Sequence, residues 1–233
     1  MQPAYLPWLG FFDRIAKSDT VVILDHVAID KNTKTQFTNR NRVRTNSGAS
    51  WLTIPIQTKG IKQETPIHDI LVSDRINWQR KHISSLQANY SKTPYYKDFS
   101  KGLFALLEQK SPNLVDYINP ITDHLLDILD LKPNLIYSHQ LKTRARKADL
   151  VLEICKKCSA DMYISGPFGR DYLDLHAFRE AGIEVVFHDY RHPLYRQNGD
   201  PFIPHLSIVD LLFNCGPGAT DILLSDPDSL AID

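Results

Sequence analysis

The chain has 233 residues, 42% hydrophobic and 23% charged, an ordinary globular composition with room for one large domain or two small ones. Its 27 Lys and Arg balance 27 Asp and Glu, which excludes long-range attraction to nucleic acid or an anionic membrane surface through net charge. No apolar run approaches the ~20 residues needed to cross a bilayer, and three cysteines make no disulfide framework, so the expected compartment is a reducing cytoplasm.

The opening, Met1 to Ala16, is densely apolar. Pro3 and Pro7 hold the first residues extended or turning, and they interrupt what would otherwise resemble a secretory leader without a basic start. Phe11, Phe12 and Ile15 then fall at helical spacing. Two readings stand side by side: an N-terminal packing plug, or a binding loop carrying Gln2 and Tyr5 at the mouth of a strand-to-helix crossover. Val21 to Leu24 is a β-branched run ending at Asp25, the pattern of a buried strand closed by a carboxylate. Residues 28–50 are polar, either a solvated loop or hairpin, and their planar donors Asn39, Arg40, Asn41, Arg42 and Arg44 suit a phosphate or carboxylate. Trp51 to Ile56 and Ile67 to Val72 are strand candidates.

The middle changes character. Residues 74–89, 99–107 and 113–131 carry apolar side chains at helical spacing, interrupted at Ser91 to Tyr96, with Pro120 marking an early turn of the third helix. The α/β pattern then returns with a helix over 142–159, a strand at Met162 to Ile164, a turn at Gly166 to Gly169, a helix over 172–181 capped by Gly182, and a strand at Ile183 to Phe187. A last helix spans 206–214 with Ser207 as its N-cap. The expected fold is therefore α/β, a mostly parallel sheet with flanking helices, possibly of the nucleotide-binding kind, and a helical insertion. Its divisions are an N-terminal α/β part (1–73), the insertion (74–134), a C-terminal α/β part of the same domain (135–216), and a loosely held tail (217–233).

Ser165 to Tyr172 follows a strand and opens a helix, the place where α/β folds gather ligands. Gly166 and Gly169 permit close backbone approach, Ser165 offers a hydroxyl, Arg170 a bidentate charge, and Asp171 a cap or a ligand contact. It is no P-loop, because no Gly-Lys-Ser/Thr follows. The run from Phe187 to Gln197 offers His188, His192, Tyr195 and Gln197 for a base or for hydrogen bonds, against the plainer reading of packing and surface groups. His188 and His192 lack a third zinc ligand and a helix to align them, so no metal is expected. Cys155 and Cys158 sit inside a helix, which favours packing over redox chemistry.

Several blocks in order carry a family resemblance: Gln2-Pro-x-Tyr-Leu-Pro-Trp-Leu-Gly-Phe-Phe12, Asn39-Arg-Asn41, Trp51-Leu-Thr-Ile-Pro55, Ser165-Gly-x-x-Gly-Arg-Asp-Tyr-Leu173, His192-Pro-x-Tyr-x-Gln197, and the segment from Phe202 to Gly216. From Gln2 to Gly216 the chain resembles the WbqC-like family. The resemblance implies a role in bacterial O-antigen or other surface-polysaccharide biosynthesis, with transfer of a small acyl or aminoacyl group, such as glycine, to an amino sugar or sugar nucleotide. A non-catalytic binding or assembly protein of the same pathway is the alternative. In the family a short apolar strand ending in His precedes Gln-Pro; here Met1 stands at that place. The expected partner is a small molecule, an activated sugar or acyl donor, rather than nucleic acid, and no cofactor is indicated. Within one site, His192 or Asp25 would be the base. Arg40 and Arg170 would hold an anion. Gln2, Tyr172 and Gln197 would orient the ligand, with Tyr5, Asn39, Asn41, Ser165, Gly166, Asp171 and Tyr195 around them.

Overall fold

A computed structural model of the chain describes residues 1–29, 37–60, 62, 64–226 and 230–232. The opening loop leads into α1 (Leu9–Ala16) and then β1 (Thr20–Ile23). A hairpin follows, β2 (Arg40–Thr45) and β3 (Gly48–Thr53). Three helices come next, α2 (Trp78–Tyr90), α3 (Tyr96–Leu107) and α4 (Val115–Ile128), and then β4 (Asn134–Tyr137). The second half runs α5 (Lys147–Lys157), β5 (Met162–Ser165), α6 (Leu175–Glu180), β6 (Glu184–His188), α7 (Ile208–Cys215), α8 (Ala219–Leu223) and β7 (Leu230–Ile232).

The fold is α/β, with short parallel sheets flanked by helices. β1 pairs in parallel with β4, Val21 opposite Leu135 and Ile23 opposite Tyr137. β5 pairs in parallel with β6, which carries β7 antiparallel on its other edge. Met1 donates to the Val22 carbonyl and accepts from the Leu24 amide, both at 2.7 Å, so its backbone lies in parallel register with Ile23 on the free edge of β1.

One large core unites much of the chain. Phe12 and Ile15 of α1, Trp78 and Leu86 of α2, Leu103 and Leu107 of α3, Ile118 and Leu125 of α4, and Leu211 and Phe213 of α7 all belong to it. Cys155, Phe178 and Ile183 form a smaller core beside β5 and β6. Burial pushes the Cys155 thiol up to about 11, as a packing role requires. No helix among the described residues is long and apolar enough to cross a membrane.

Several expectations are corrected. The segment from Ile67 to Val72, expected as a strand, forms a 3-10 turn at Ile67–Asp69 followed only by isolated bridges, Leu71 to Asn113 and Val72 to Ile56. Its apolar residues Ile67 and Ile70 are buried all the same, while its amides bond to scattered partners, such as Val72 to the Pro112 carbonyl at 2.7 Å. β4, by contrast, is a strand at Asn134–Tyr137 where none was expected. α5 starts at Lys147 rather than residue 142, because Glu153 Oε2 accepts the Arg144 and Ala145 amides at 2.9 and 2.8 Å and holds that stretch outside the helix. α6 starts at Leu175, capped by the Asp174 side chain rather than by Asp171. Beyond Gly216 the chain buries Ala219 and Leu223, which corrects the expectation that everything after Gly216 is loosely held.

Candidate active site at the ends of two parallel strands

β1 and β4 run side by side, so the residues that follow them emerge together at their carboxyl ends, where ligands of α/β proteins gather. Asp25 follows β1 and is buried. Its Oδ1 accepts from Ser138 Oγ and from the His139 amide, both at 3.0 Å, and its Oδ2 accepts from His139 Nδ1. Burial works against ionisation, but the bonds from His139 and Ser138 outweigh it and hold the carboxyl below its ordinary range.

The hydrogen positions follow from these partners. Ser138 spends its proton on Asp25, so His26 Nδ1 donates to Ser138 Oγ, and His26 Nε2 accepts from Thr143 Oγ1 at 3.1 Å. Burial lowers the pKa of His26 and favours its neutral form. His68 Nδ1 donates to the Asp25 carbonyl at 3.0 Å. Ser138 is buried and its oxygen is saturated, so it positions others and offers no nucleophile.

His139 is the outlet of this cluster. Its side chain is 47% exposed, its ring stacks on Tyr137 with centroids 6.2 Å apart, and the His68 ring lies 5.7 Å away on an edge. With Nδ1–H donated to a buried carboxylate, the lone pair stands on Nε2. A carboxylate that holds an imidazole in one tautomer makes its other nitrogen a general base. No group of three or more His, Cys, Asp or Glu among the described residues is arranged to hold a metal ion.

The remaining expected site residues divide into three sets. Gln2, Gly166 and Tyr172 line one groove of about 610 Å³, which runs along the edges of β1 and β5 and also reaches Leu24, the neighbour of Asp25. The opening loop and the Ser165–Tyr172 turn do converge there. Ser165 itself is buried and donates to the Gly166 carbonyl at 3.0 Å, Arg170 lies over the Phe187 ring at 4.2 Å, and Asp171 is exposed.

A second set is structural. Tyr5 is buried, its hydroxyl bonded to His82 Nδ1 at 2.8 Å, so it is enclosed rather than offered to a ligand. Asn39 Nδ2 donates to the Ile54 carbonyl at 2.8 Å and Asn41 Nδ2 to the Leu6 carbonyl at 2.7 Å. Asn39 closes the open end of the hairpin, and Asn41 ties the hairpin to the opening loop. Arg40 stacks on Trp51 at 4.5 Å.

The third set surrounds Asp210 of α7. Tyr195 and Tyr90 donate to its two oxygens at 2.8 Å. Gln197 Nε2 adds a bond at 2.9 Å, and Gln197 Oε1 accepts from Arg44 at 2.8 Å. The ring of His192 lies 5.1 Å from His205 and 6.1 Å from Tyr195, and burial pushes it down to about 4. His192 and Asp25, the two expected bases, therefore belong to different clusters. His188 bonds to the buried Asp13 at 2.7 Å.

Of the residues in this cluster, sequence reasoning named Asp25 and did not name His26, His68, Ser138, His139 or Thr143. One local signal was present: Ser138-His139 directly follows the apolar Leu135-Ile-Tyr137, just as Asp25-His26 follows the β-branched run of β1.

Comparison with known proteins agrees over nearly the whole length. An "Uncharacterized protein Rv1507c" of Mycobacterium tuberculosis is 33% identical over 225 residues, covering 96% of this chain and 95% of that protein. No solved structure matches the chain. The model of the WbqC-like protein family matches residues 2–222, and the chain belongs to that family.

Proposed function

We propose that the protein is a group-transfer enzyme in which His139, held by Asp25, is the general base. The observation that carries this reading is the Asp25–His139 pair at the carboxyl ends of β1 and β4, with the His139 ring half exposed. In the step proposed, Nε2 takes a proton from an acceptor amine or hydroxyl as that group attacks the carbonyl of an activated acyl or aminoacyl donor. The new bond forms at the carbonyl carbon, the leaving group departs with its electron pair, and imidazolium returns the proton to it. Asp25 stays ionised throughout and stabilises the imidazolium. The family resemblance suggests an amino sugar or sugar nucleotide as acceptor, surface-polysaccharide biosynthesis as the setting, and the cytoplasm as the compartment.

The test begins with a thermal-shift panel of nucleotide-sugars, nucleotides and acyl-CoAs, since a bound ligand stabilises the native state by mass action. Each hit is then offered a donor, and the mass of the sugar is followed. His139→Gln should keep binding and lose turnover by about 10²–10⁴-fold. A sugar that binds without turnover under every donor would favour a non-catalytic binding protein. Full activity in His139→Gln would remove the base assigned here.

A further inference from the structure

Lys142-Thr-Arg-Ala-Arg-Lys147 sets four cations within six residues, directly after the turn that carries His139. On the helix expected over 142–159 these side chains would fan out around the axis. All but Lys147 lie before α5 instead. Glu153 takes the Arg144 and Ala145 amides, and Thr143 Oγ1 donates to His26 Nε2 at 3.1 Å. His26 bonds to Ser138 and Ser138 to Asp25, so three hydrogen bonds in series tie this segment to the candidate site.

The path of the segment lines its cations up. Lys142 and Lys147 bracket it in the left-handed region, at φ 48° and 55°, which residues with a Cβ rarely adopt. From Lys142 to Arg146 the chain runs without turn or bend, and exposure alternates: Lys142, Arg144 and Arg146 are exposed, Thr143 and Ala145 half-buried. That is the two-residue period of an extended chain, so the three cations share one face. Their Cα atoms follow one another at steps of up to ~7 Å, strung along a line rather than gathered at a point. Acidic neighbours neutralise little of this charge. Glu64 pairs with Arg146 at 3.7 Å, but both side chains are open to water, where such pairs are weak. Glu153 spends an oxygen on the two amides.

We propose that Lys142, Arg144 and Arg146 form the phosphate-binding edge of the Asp25–His139 site, and that the donor is an acyl or aminoacyl group carried by a nucleotide with phosphates on both sides of its ribose. The inference rests on the reading of His139 as the base and names the substrate class for that site. Guanidinium and ammonium groups stay charged at neutral pH and donate to phosphate oxygens. A compact diphosphate meets only part of a line of cations, whereas phosphates held apart by a ribose meet successive members of it. Anchoring the phosphates beside the imidazole turns the encounter of base and donor into a positioned one.

The experiment is calorimetric titration of the full chain, at constant ionic strength, with adenosine 3′,5′-bisphosphate, with ADP as the compact probe and a single-stranded oligoribonucleotide as the polymeric one. The bisphosphate should bind saturably and at least fivefold more tightly than ADP. Lys142→Gln with Arg144→Gln, both on exposed side chains, should raise its Kd at least tenfold, and Lys101→Gln, exposed on α3, should leave it unchanged. Saturation should also shift the ring-nitrogen NMR signals of His139. Unaltered affinity in the double variant, no saturable binding, ADP bound as tightly, the oligoribonucleotide bound tenfold more tightly, or unmoved His139 signals would each overturn the proposal. His139→Gln separates it from the reading it rests on. Turnover lost there, with affinity unaltered in the double variant, would remove the phosphate edge and leave the base. Turnover kept there, with affinity lost in the double variant, would remove the base and leave the phosphate edge.

Discussion

Replacing Asp25 by Asn changes one atom's chemistry at the centre of the candidate site and leaves its volume alone. The native carboxylate is buried and accepts from Ser138 Oγ, the His139 amide and His139 Nδ1. Asn retains one accepting oxygen and turns an NH₂ toward at least one of those donors. A hydrogen bond to a charged group contributes about 1.5–3 kcal/mol, and a buried donor left without an acceptor costs about 1–3 kcal/mol more. The expected loss is thus about 2–4 kcal/mol at neutral pH, or roughly 5–15 °C in Tm for a chain of this size. The sign with pH follows from a folded pKa held below the ordinary carboxylate value. The stabilisation is complete above pH ~4 and fades as pH falls through the folded pKa, so the gap between native and variant narrows in acid. Urea unfolding at pH 7 and in acid measures the gap, and nitrogen NMR of His139 reads its tautomer, which should leave the Nδ1–H form in the variant. Equal stability at pH 7 together with an unchanged tautomer would refute the account of Asp25 as the group that fixes His139.

Three further outcomes are expected. Gln197→Ala removes bonds to Arg44, Ile203 and Asp210 at once. It should cost about 2–4 kcal/mol in urea unfolding, and a loss under about 0.5 kcal/mol would show that the cluster is not structural. His82, pushed by burial from 6.5 down to about 4, stays neutral in the fold while the unfolded chain takes up a proton. Stability should therefore fall from pH 6.5 toward pH 4 by up to about 1.4 kcal/mol per pH unit from this residue. A stability curve across that window with the same slope in His82→Gln would remove His82 as the cause. At Gly169 an added Cβ would lie 1.9 Å from Ser165 Oγ and 3.0 Å from Leu173 Cδ1, so Gly169→Ala should cost about 1–3 kcal/mol; a Tm equal to the native one would count against that packing.

Residue patterns made some of this legible. Val21 to Leu24 reads as a strand because β-branched residues are sheltered on both faces of a parallel sheet, and the carboxylate after it marks the end where a site belongs. The amphipathic stripes of α2, α3 and α4 are equally local, since positions three and four apart share a face. Donor-rich residues misled for a physical reason. Asn39, Asn41 and Gln197 have the chemistry of ligand contacts, yet a hairpin and an α7 packed in the core also need side-chain amides to satisfy buried backbone and carboxylate groups. Arg40 and Arg170 likewise found aromatic rings.

Local sequence determined the class of the fold, the helical middle, the Ser165–Tyr172 turn and the family, because each depends on neighbours within a few residues or on motifs in order. Tertiary structure alone decided the candidate site. Asp25 and His139 are 114 residues apart, joined only because β1 and β4 pair in parallel across a hairpin and three helices. A parallel pair is closed by a long crossover, so its register leaves no trace in the spacing of either strand's own residues. The same pairing turned His139, one of nine histidines, into one held by the buried Asp25 carboxylate with its ring half exposed.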